Sequence, residues 1–139
     1  MSKRGPIILV EDDKDDQEIL REVLQDVNIP NQLICFANGE EALSYLITTS
    51  DQPFLILSDV NMPVLDGIGL RKKINENEYL REKSIPFVFL TTTAGSKAVK
   101  EAYEMSVQGF FEKGTNMQEI GKMLRLIHDY WQMCRHPNN

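Results

Sequence analysis

The chain has 139 residues, of which 42% are apolar and 26% charged, and its net charge at pH 7 is −6. This composition is ordinary for a globular protein, and the acidic excess argues against direct binding to nucleic acid or anionic membranes, which needs clustered Lys and Arg. The two cysteines, Cys35 and Cys134, do not indicate a disulfide framework, and the first apolar run, 7–10, is too short for a signal peptide or a membrane span. We therefore expect a single cytoplasmic domain over the whole chain, with its core at about 6–133 and a tail at 134–139.

Strand and helix patterns alternate along the sequence. In chain order, the predicted elements are a strand at 7–10, a helix at 15–27, a strand at 33–36, a helix around 42–47, a strand at 54–57, a helix around 68–74, a strand at 87–90, a helix at 96–105, a strand at 109–111 and a helix at 116–133. The clearest strand segments are continuous apolar runs, the pattern of strands that are covered on both faces. The alternation predicts an α/β protein with a doubly wound parallel sheet between helices.

Polar side chains follow the ends of four predicted strands. They are Glu11 and Asp12 after the first strand, Asp59 after the third, Thr91 after the fourth and Lys113 after the fifth. Because the carboxyl ends of parallel strands meet at one edge of the sheet, three carboxylates, a hydroxyl and an ammonium are expected to converge there. Adjacent carboxylates repel one another unless a cation binds between them, and an all-oxygen set with few protein donors suits Mg²⁺.

Asp59 is the candidate for covalent chemistry at this edge. A carboxylate can attack phosphorus and form an aspartyl phosphate, while Mg²⁺ and Lys113 would hold the phosphoryl oxygens over which charge is spread. The hydroxyl of Thr91 would donate to a phosphoryl oxygen once one is present. A lone aspartate at a strand end is more often a cap or turn residue, and it is the combination of residue types that favours chemistry.

Four motifs extend this pattern in chain order. The sequence reads IILVEDD at 7–13, LSDVNMPVLDG at 57–67, FLTT at 89–92 and FFEK at 110–113. Over nearly the whole chain they resemble the response-regulator receiver domains of two-component signalling, in particular the single-domain, chemotaxis-regulator-like ones. The resemblance implies a flavodoxin-like, three-layer fold with strand order 2-1-3-4-5.

The resemblance also implies which residues hold the metal and the phosphoryl group. Asp59 would be the phosphoacceptor, and Glu11 and Asp12 would form an acidic pair in which Asp12 is the direct Mg²⁺ ligand. Asn61 would supply a backbone carbonyl oxygen to the same ion. The phosphodonor would be a histidine kinase or a phosphotransfer protein.

Further residues are expected to respond to the phosphoryl group. Thr91 and Lys113 would contact it, and Phe110 stands at the family's aromatic switch position, where it would turn inward when Thr91 moves. Two positions depart from the family's pattern. Gly114 replaces the proline that usually follows the site lysine through a cis bond, and a cis bond without proline costs about 2.5–4 kcal/mol. Phe110 lacks the hydroxyl of the tyrosine that is often found at its position.

The expected function is a switch whose output passes through protein contacts. No output domain is expected after the last helix, so the signal would pass to a downstream protein, to a homodimer formed through the last helices, or along a phosphorelay. Two other functions stay open. The chain could be an aspartate-nucleophile phosphatase of small molecules, which would need an acid where Asn61 stands, or a degenerate receiver that only binds a partner.

Several other side chains are assigned no chemistry. Asp13, Asp15 and Asp16 are expected to begin the first helix, where negative charge suits the dipole, and Thr92 and Thr93 are expected to be loop hydroxyls that influence the access of water. His128 and His136 are expected on the surface. A second apolar stripe on the last helix would be either a wide buried face or a partner surface, and it comprises Met123, Leu126, Tyr130 and Met133.

Overall fold

The computed structural model describes residues 3–91, 96–104, 106–113 and 116–135, with only the backbone for 96–98. This part of the chain contains five strands and six helices. They are β1 (Ile7–Val10), α1 (Lys14–Asp26), β2 (Leu33–Phe36), α2 (Gly39–Thr48), β3 (Leu55–Ser58), α3 (Gly67–Glu76), α4 (Glu78–Lys83), β4 (Phe87–Thr91), α5 (Ser96–Glu104), β5 (Gly109–Glu112) and α6 (Met117–Met133). The predictions for Thr92, Thr93, Gly114 and His136 fall outside the described residues.

All five strands are parallel and lie in the order β2-β1-β3-β4-β5. The register places Val10 beside Ser58 and Thr91 beside Glu112, so the strands end together at one edge of the sheet. The strand order reverses at β1, which has β2 on one side and β3 on the other. The predicted α/β class, the parallel sheet and the order 2-1-3-4-5 are therefore confirmed.

Two apolar layers cover the sheet, one on each face. Successive residues of β1 belong to opposite layers, since Ile7 and Leu9 pack with α1 and α6 whereas Ile8 and Val10 pack with α2 and α3. All four side chains are buried. Burial on both faces is the physical reason for the continuous apolar run in the sequence.

Side-chain caps set where most of these helices begin. A side-chain oxygen accepts a backbone N–H of the first turn at each of five N-caps, and these are Asp13 for α1, Asn38 for α2, Asp66 for α3, Asn77 for α4 and Asn116 for α6. Helix α4 was not predicted. It is six residues long and is capped at its end by Ser84 with a φ of 54°, and too few of its side chains are apolar to show helical periodicity.

Some apolar residues of the last two helices are exposed. Tyr103 on α5 and Met117 on α6 are 54% and 42% exposed. The prediction that His128 lies on the surface is wrong. Its side chain is buried and packs in a T-shaped arrangement with Phe54, with ring centroids 5.7 Å apart. It is buried because it lies one helical turn after Leu124, on the side of α6 that faces the core.

None of the helices in the described ranges is both long enough and apolar enough to cross a membrane.

Candidate functional site

The carboxyl edge of the sheet brings residues from β1 and β3 side by side. The backbone N–H of Asp59 donates to Val10 O at 3.0 Å, and that of Glu11 donates to Phe36 O at 2.9 Å. These bonds continue the parallel ladder one residue beyond the strands, so Glu11 and Asp59 are held by the sheet rather than by mobile loops. Asp12 follows directly and is exposed.

Three carboxylates meet at this edge, and we call Glu11, Asp12 and Asp59 the acidic rim. One oxygen of each lies within 4.8 Å of an oxygen of both others. Glu11 is 2% exposed, and its Oε2 atom is buried and accepts no hydrogen bond from the described residues. A buried carboxylate oxygen without a donor, next to two more carboxylates, fits a small hard cation such as Mg²⁺.

Lys113 is the cation that the chain itself places at the acidic rim. Its backbone N–H donates to Thr91 O at 2.7 Å, which fixes the residue beside the end of β4. Its Nζ atom lies 2.7 Å from Glu11 Oε1 and 3.4 Å from Asp16 Oδ2, and the side chain is 8% exposed. Lys113 therefore forms a largely buried ion pair with a member of the rim.

The electrostatics of this pair follow from its burial. Burial raises the pKa of the Glu11 carboxyl to about 8, with the charge of Asp59 acting in the same direction and the bond to Lys113 acting against it. Burial acts to lower the pKa of Lys113, but the bond to Glu11 and the charges of Asp16 and Asp59 outweigh it, so the pKa is raised. Burial therefore opposes a negative charge on Glu11, and the ammonium of Lys113 favours it.

Three close contacts shape the loop after Asp59. Asp59 is half-buried and its Oδ1 atom accepts the N–H of Val60 at 2.7 Å. Val64 has a φ of 71° and sits at the centre of a turn in which Leu65 N donates to Pro63 O at 2.9 Å, a γ-turn that is strained for a β-branched residue. The backbone of Gly67 passes so close to Asp59 that there is no room for a side chain.

The remaining predicted site residues occupy positions around the acidic rim. Thr91 is 2% exposed at the end of β4. Phe110, on β5, is half-buried and packs against Phe89 with ring centroids 5.5 Å apart. Asn61 lies in the loop two residues after Asp59 and is exposed. The structure thus brings Glu11, Asp12, Asp59 and Lys113 together, while the roles of these four residues and of Thr91, Phe110 and Asn61 stay predictions.

Asp16 was missed as a site residue, although its sequence position carried a signal. It stands four and eight residues before Leu20 and Leu24, which are buried on the core-facing side of α1. A charged residue that extends a buried helical stripe needs a partner, and here that partner is Lys113.

A flavodoxin-like parallel sheet with an acidic cluster and a buried lysine at its carboxyl edge places this chain among the doubly wound α/β proteins that bind ligands at that edge. The sequence comparison narrows the class, since residues 7–125 match the family described as the response regulator receiver domain. The chain belongs to this family, the receiver domains of two-component signalling.

Two of its relatives are similar over almost their entire lengths. Response regulator Rcp1 of Synechocystis sp. is 35% identical over 130 residues, which cover 90% of this chain and 87% of that protein. The crystal structure of the Mn²⁺-bound form of Rcp1 superposes with a TM-score of 0.81 at 33% identity, covering 96% of this chain and 99% of that one. The phosphorylated cyanobacterial phytochrome response regulator RcpA gives a TM-score of 0.85 at 27% identity, covering 98% and 99% of the two chains.

Proposed function

We propose that this receiver domain is a Mg²⁺-dependent phosphoacceptor switch in which Asp59 is phosphorylated by a histidine kinase or a phosphotransfer protein. The observation that carries the proposal is the acidic rim, in which three carboxylate oxygens lie within 4.8 Å of one another beside the ammonium of Lys113. The Mn²⁺-bound form of Rcp1 and the phosphorylated form of RcpA support the same chemistry for this chain by similarity.

The reaction is a transfer between two side chains. A carboxylate oxygen of Asp59 attacks the phosphorus of a phosphohistidine, the P–N bond breaks, and its electron pair returns to the imidazole nitrogen. Mg²⁺, held by Glu11, Asp12, Asp59 and the carbonyl oxygen of Asn61, would supply positive charge to the phosphoryl oxygens. The ammonium of Lys113 would contact the phosphoryl group. The backbone of Lys113 is held in place by its N–H, which donates to Thr91 O.

The switch would be transmitted through β4 and β5. The hydroxyl of Thr91 would bond to a phosphoryl oxygen, and Phe110 would then move into the space beside Thr91. Phe110 already packs against Phe89, so a change in the rotamer of Phe110 would alter the packing of the buried layer beneath it.

We propose that the output surface lies on α6 and β5, and we call it the α6 stripe, formed by Phe111, Leu126, Tyr130 and Met133. The last three side chains are 71%, 63% and 87% exposed, and all four line a groove of about 560 Å³. This exposure favours a partner surface over a wide buried face for Leu126, Tyr130 and Met133, whereas Met123 of the predicted second stripe is partly buried against the core. A downstream protein or a second copy of the chain would bind there.

We place this exchange in the cytoplasm, where disulfides are rare, which agrees with Cys35 and Cys134 being free thiols. The acidic net charge of −6 supports protein partners rather than direct contact with nucleic acid or membranes.

Intact mass after incubation with acetyl phosphate and Mg²⁺ tests the proposal. The wild type should gain the mass of one phosphoryl group, and Asp59→Asn should gain none. Asp66→Asn is the matched control, because Asp66 lies in the same loop but accepts the N–H of Gly69 as an N-cap, a contact that asparagine preserves. Phosphorylation of Asp59→Asn, or labelling that does not depend on Mg²⁺, would contradict the proposal.

A second measurement separates a switch from a small-molecule phosphatase. A phosphatase would release inorganic phosphate repeatedly from an ester such as p-nitrophenyl phosphate, whereas a phosphoacceptor, which catalyses only its own phosphorylation and dephosphorylation, would release it no faster than its own acyl phosphate is lost. Sedimentation with and without beryllofluoride, a phosphoryl mimic, tests the α6 stripe. Leu126→Gln should weaken any beryllofluoride-dependent association without changing phosphorylation.

A further inference from the structure

Lys113 is held by two carboxylates that differ in their relation to the acidic rim. Glu11 belongs to the rim, and its Oε1 atom lies 2.7 Å from Lys113 Nζ. Asp16 belongs to α1, outside the three carboxylates that could share a cation, and its Oδ2 atom lies 3.4 Å from the same nitrogen. The ammonium therefore has one partner inside the rim and one outside it.

The helix fixes where the Asp16 carboxylate can reach. The backbone N–H of Asp16 donates to Asp13 Oδ1 at 3.3 Å, within the N-cap that begins α1. Leu20 and Leu24 continue the same helical stripe and are buried against the sheet. The side chain of Asp16 is consequently turned toward the sheet and only 33% exposed, whereas its neighbour Asp15 is exposed.

We infer that Asp16 is a positioning residue that holds the ammonium of Lys113 at the α1 side of the acidic rim and competes for it with the phosphoryl group on Asp59. The inference rests on the proposed function and adds a regulatory contact to the same site. It names a residue beyond those that the sequence motifs assigned to the reaction.

The competition follows from charge and geometry. An ammonium has three N–H donors, and two of them are directed to Glu11 and Asp16 in the unphosphorylated protein. A phosphoryl group on Asp59 brings further negative charge, which attracts Lys113 and repels the Asp16 carboxylate. Asp16 therefore favours the unphosphorylated arrangement, and its removal favours the phosphorylated one.

Three variants measured at saturating Mg²⁺ test this inference. Asp16→Asn removes the charge at constant size, and Asp16→Glu restores it. Asp15→Asn is the matched control, because it removes the same charge from the same helical turn at an exposed position without a contact to Lys113. The affinity for beryllofluoride is measured by calorimetry, the lifetime of the acyl phosphate by intact mass, and folding by thermal melting.

The expected result is specific to the contact. Asp16→Asn should bind beryllofluoride about two- to fivefold more tightly, the range for one partly exposed ion pair, with a longer acyl phosphate lifetime. Asp15→Asn should stay close to the wild type, and Asp16→Glu should return toward it. A purely structural role would change the melting temperature and leave the beryllofluoride affinity unchanged.

The outcomes separate this inference from the proposed function. If the wild type binds no beryllofluoride with Mg²⁺ present, the proposed function is wrong. If the wild type binds it but Asp16→Asn behaves like Asp15→Asn, or binds more weakly than the wild type, only the role of Asp16 is overturned.

Discussion

Replacing Gly67 by alanine tests how closely the fold supports the acidic rim. Gly67 begins α3 and donates its N–H to Val60 O at 2.9 Å. A Cβ atom at this position would overlap the carbonyl oxygen of Asp59 and lie 2.6 Å from Cε1 of Phe89. The φ of Gly67 is not positive, so alanine causes no backbone strain and the effect of the substitution is steric.

The expected cost follows from what cannot move. The Phe89 ring is fully buried and the Asp59 carbonyl is part of the backbone, so the overlap must be relieved by shifting α3 or the phosphoacceptor. Overpacking of this kind costs about 1–3 kcal/mol. Alanine returns about 0.5–1 kcal/mol through its helix propensity. We expect a net loss of about 1 kcal/mol, which lowers the melting temperature by about 3–5 °C in a chain of this size.

Gly69→Ala is the matched control in the same helix. A Cβ at Gly69 would lie 2.8 Å from Leu65 Cδ1, the end of a flexible side chain that can rotate away. This variant should be as stable as the wild type or about 0.5–1 kcal/mol more stable. Urea unfolding followed by circular dichroism gives both values, and the rate of labelling by acetyl phosphate shows whether Asp59 has moved. A Gly67→Ala protein with wild-type stability and labelling would refute the reasoning.

Three more predictions follow from the site and its loop. Val64→Gly should raise the urea midpoint by relieving the positive φ of 71°, a gain of about 1 kcal/mol that Val64→Ala should not fully reproduce. Asp66→Ala should lose about 1 kcal/mol by removing the N-cap of α3 while labelling with acetyl phosphate persists, and Asp66→Asn should lose almost nothing. Burial raises the pKa of Glu11 to about 8, so the folded protein retains a proton that the unfolded chain releases above the ordinary pKa of a glutamate. The free energy of unfolding without Mg²⁺ should therefore fall as the pH rises from about 5 to 8. The affinity for Mg²⁺ should rise as the pH rises over the same interval, and binding should release this proton. Calorimetry in two buffers of different ionisation enthalpy measures the proton release. A pH-independent affinity would contradict the role of Glu11 in binding the ion.

The fold was predictable because its determinants are local and repeated. Each central strand must bury both faces, which leaves an uninterrupted apolar run such as that of β1, and parallel pairing then follows from the alternation with helices. Helix α4 could not be found in this way, since Leu80 is the one buried apolar side chain in its six residues. Its formation depends on the Asn77 cap and on packing with α3, which no periodic pattern reports.

The convergence of the acidic rim was predictable for a topological reason, whereas the partners of individual side chains were not. Strand ends of a parallel sheet must share an edge, so Glu11, Asp12 and Asp59 could be grouped from the sequence alone. The contact between Asp16 and Lys113 joins residues 97 positions apart and depends on how α1 is rotated against the sheet. His128 shows the same limit, because its burial depends on the exact face that α6 presents to Phe54.

The charges at this edge imply an order of events under the proposed function. Glu11 and Asp16 share the ammonium of Lys113, and the carboxylates of Asp12 and Asp59 lie at the same edge without a salt bridge to any described residue, so the edge is already negative before any phosphoryl group arrives. A phosphodonor adds more negative charge, and Lys113 cannot compensate for it because two carboxylates already share its charge. Acceptance of the phosphoryl group should therefore require prior binding of a divalent cation. The cation offsets the negative charge of the rim and weakens the attraction between Glu11 and Lys113. Lys113 then serves mainly to orient the phosphoryl group, because its ammonium already lies beside the rim and has only to exchange one carboxylate partner for a phosphoryl oxygen.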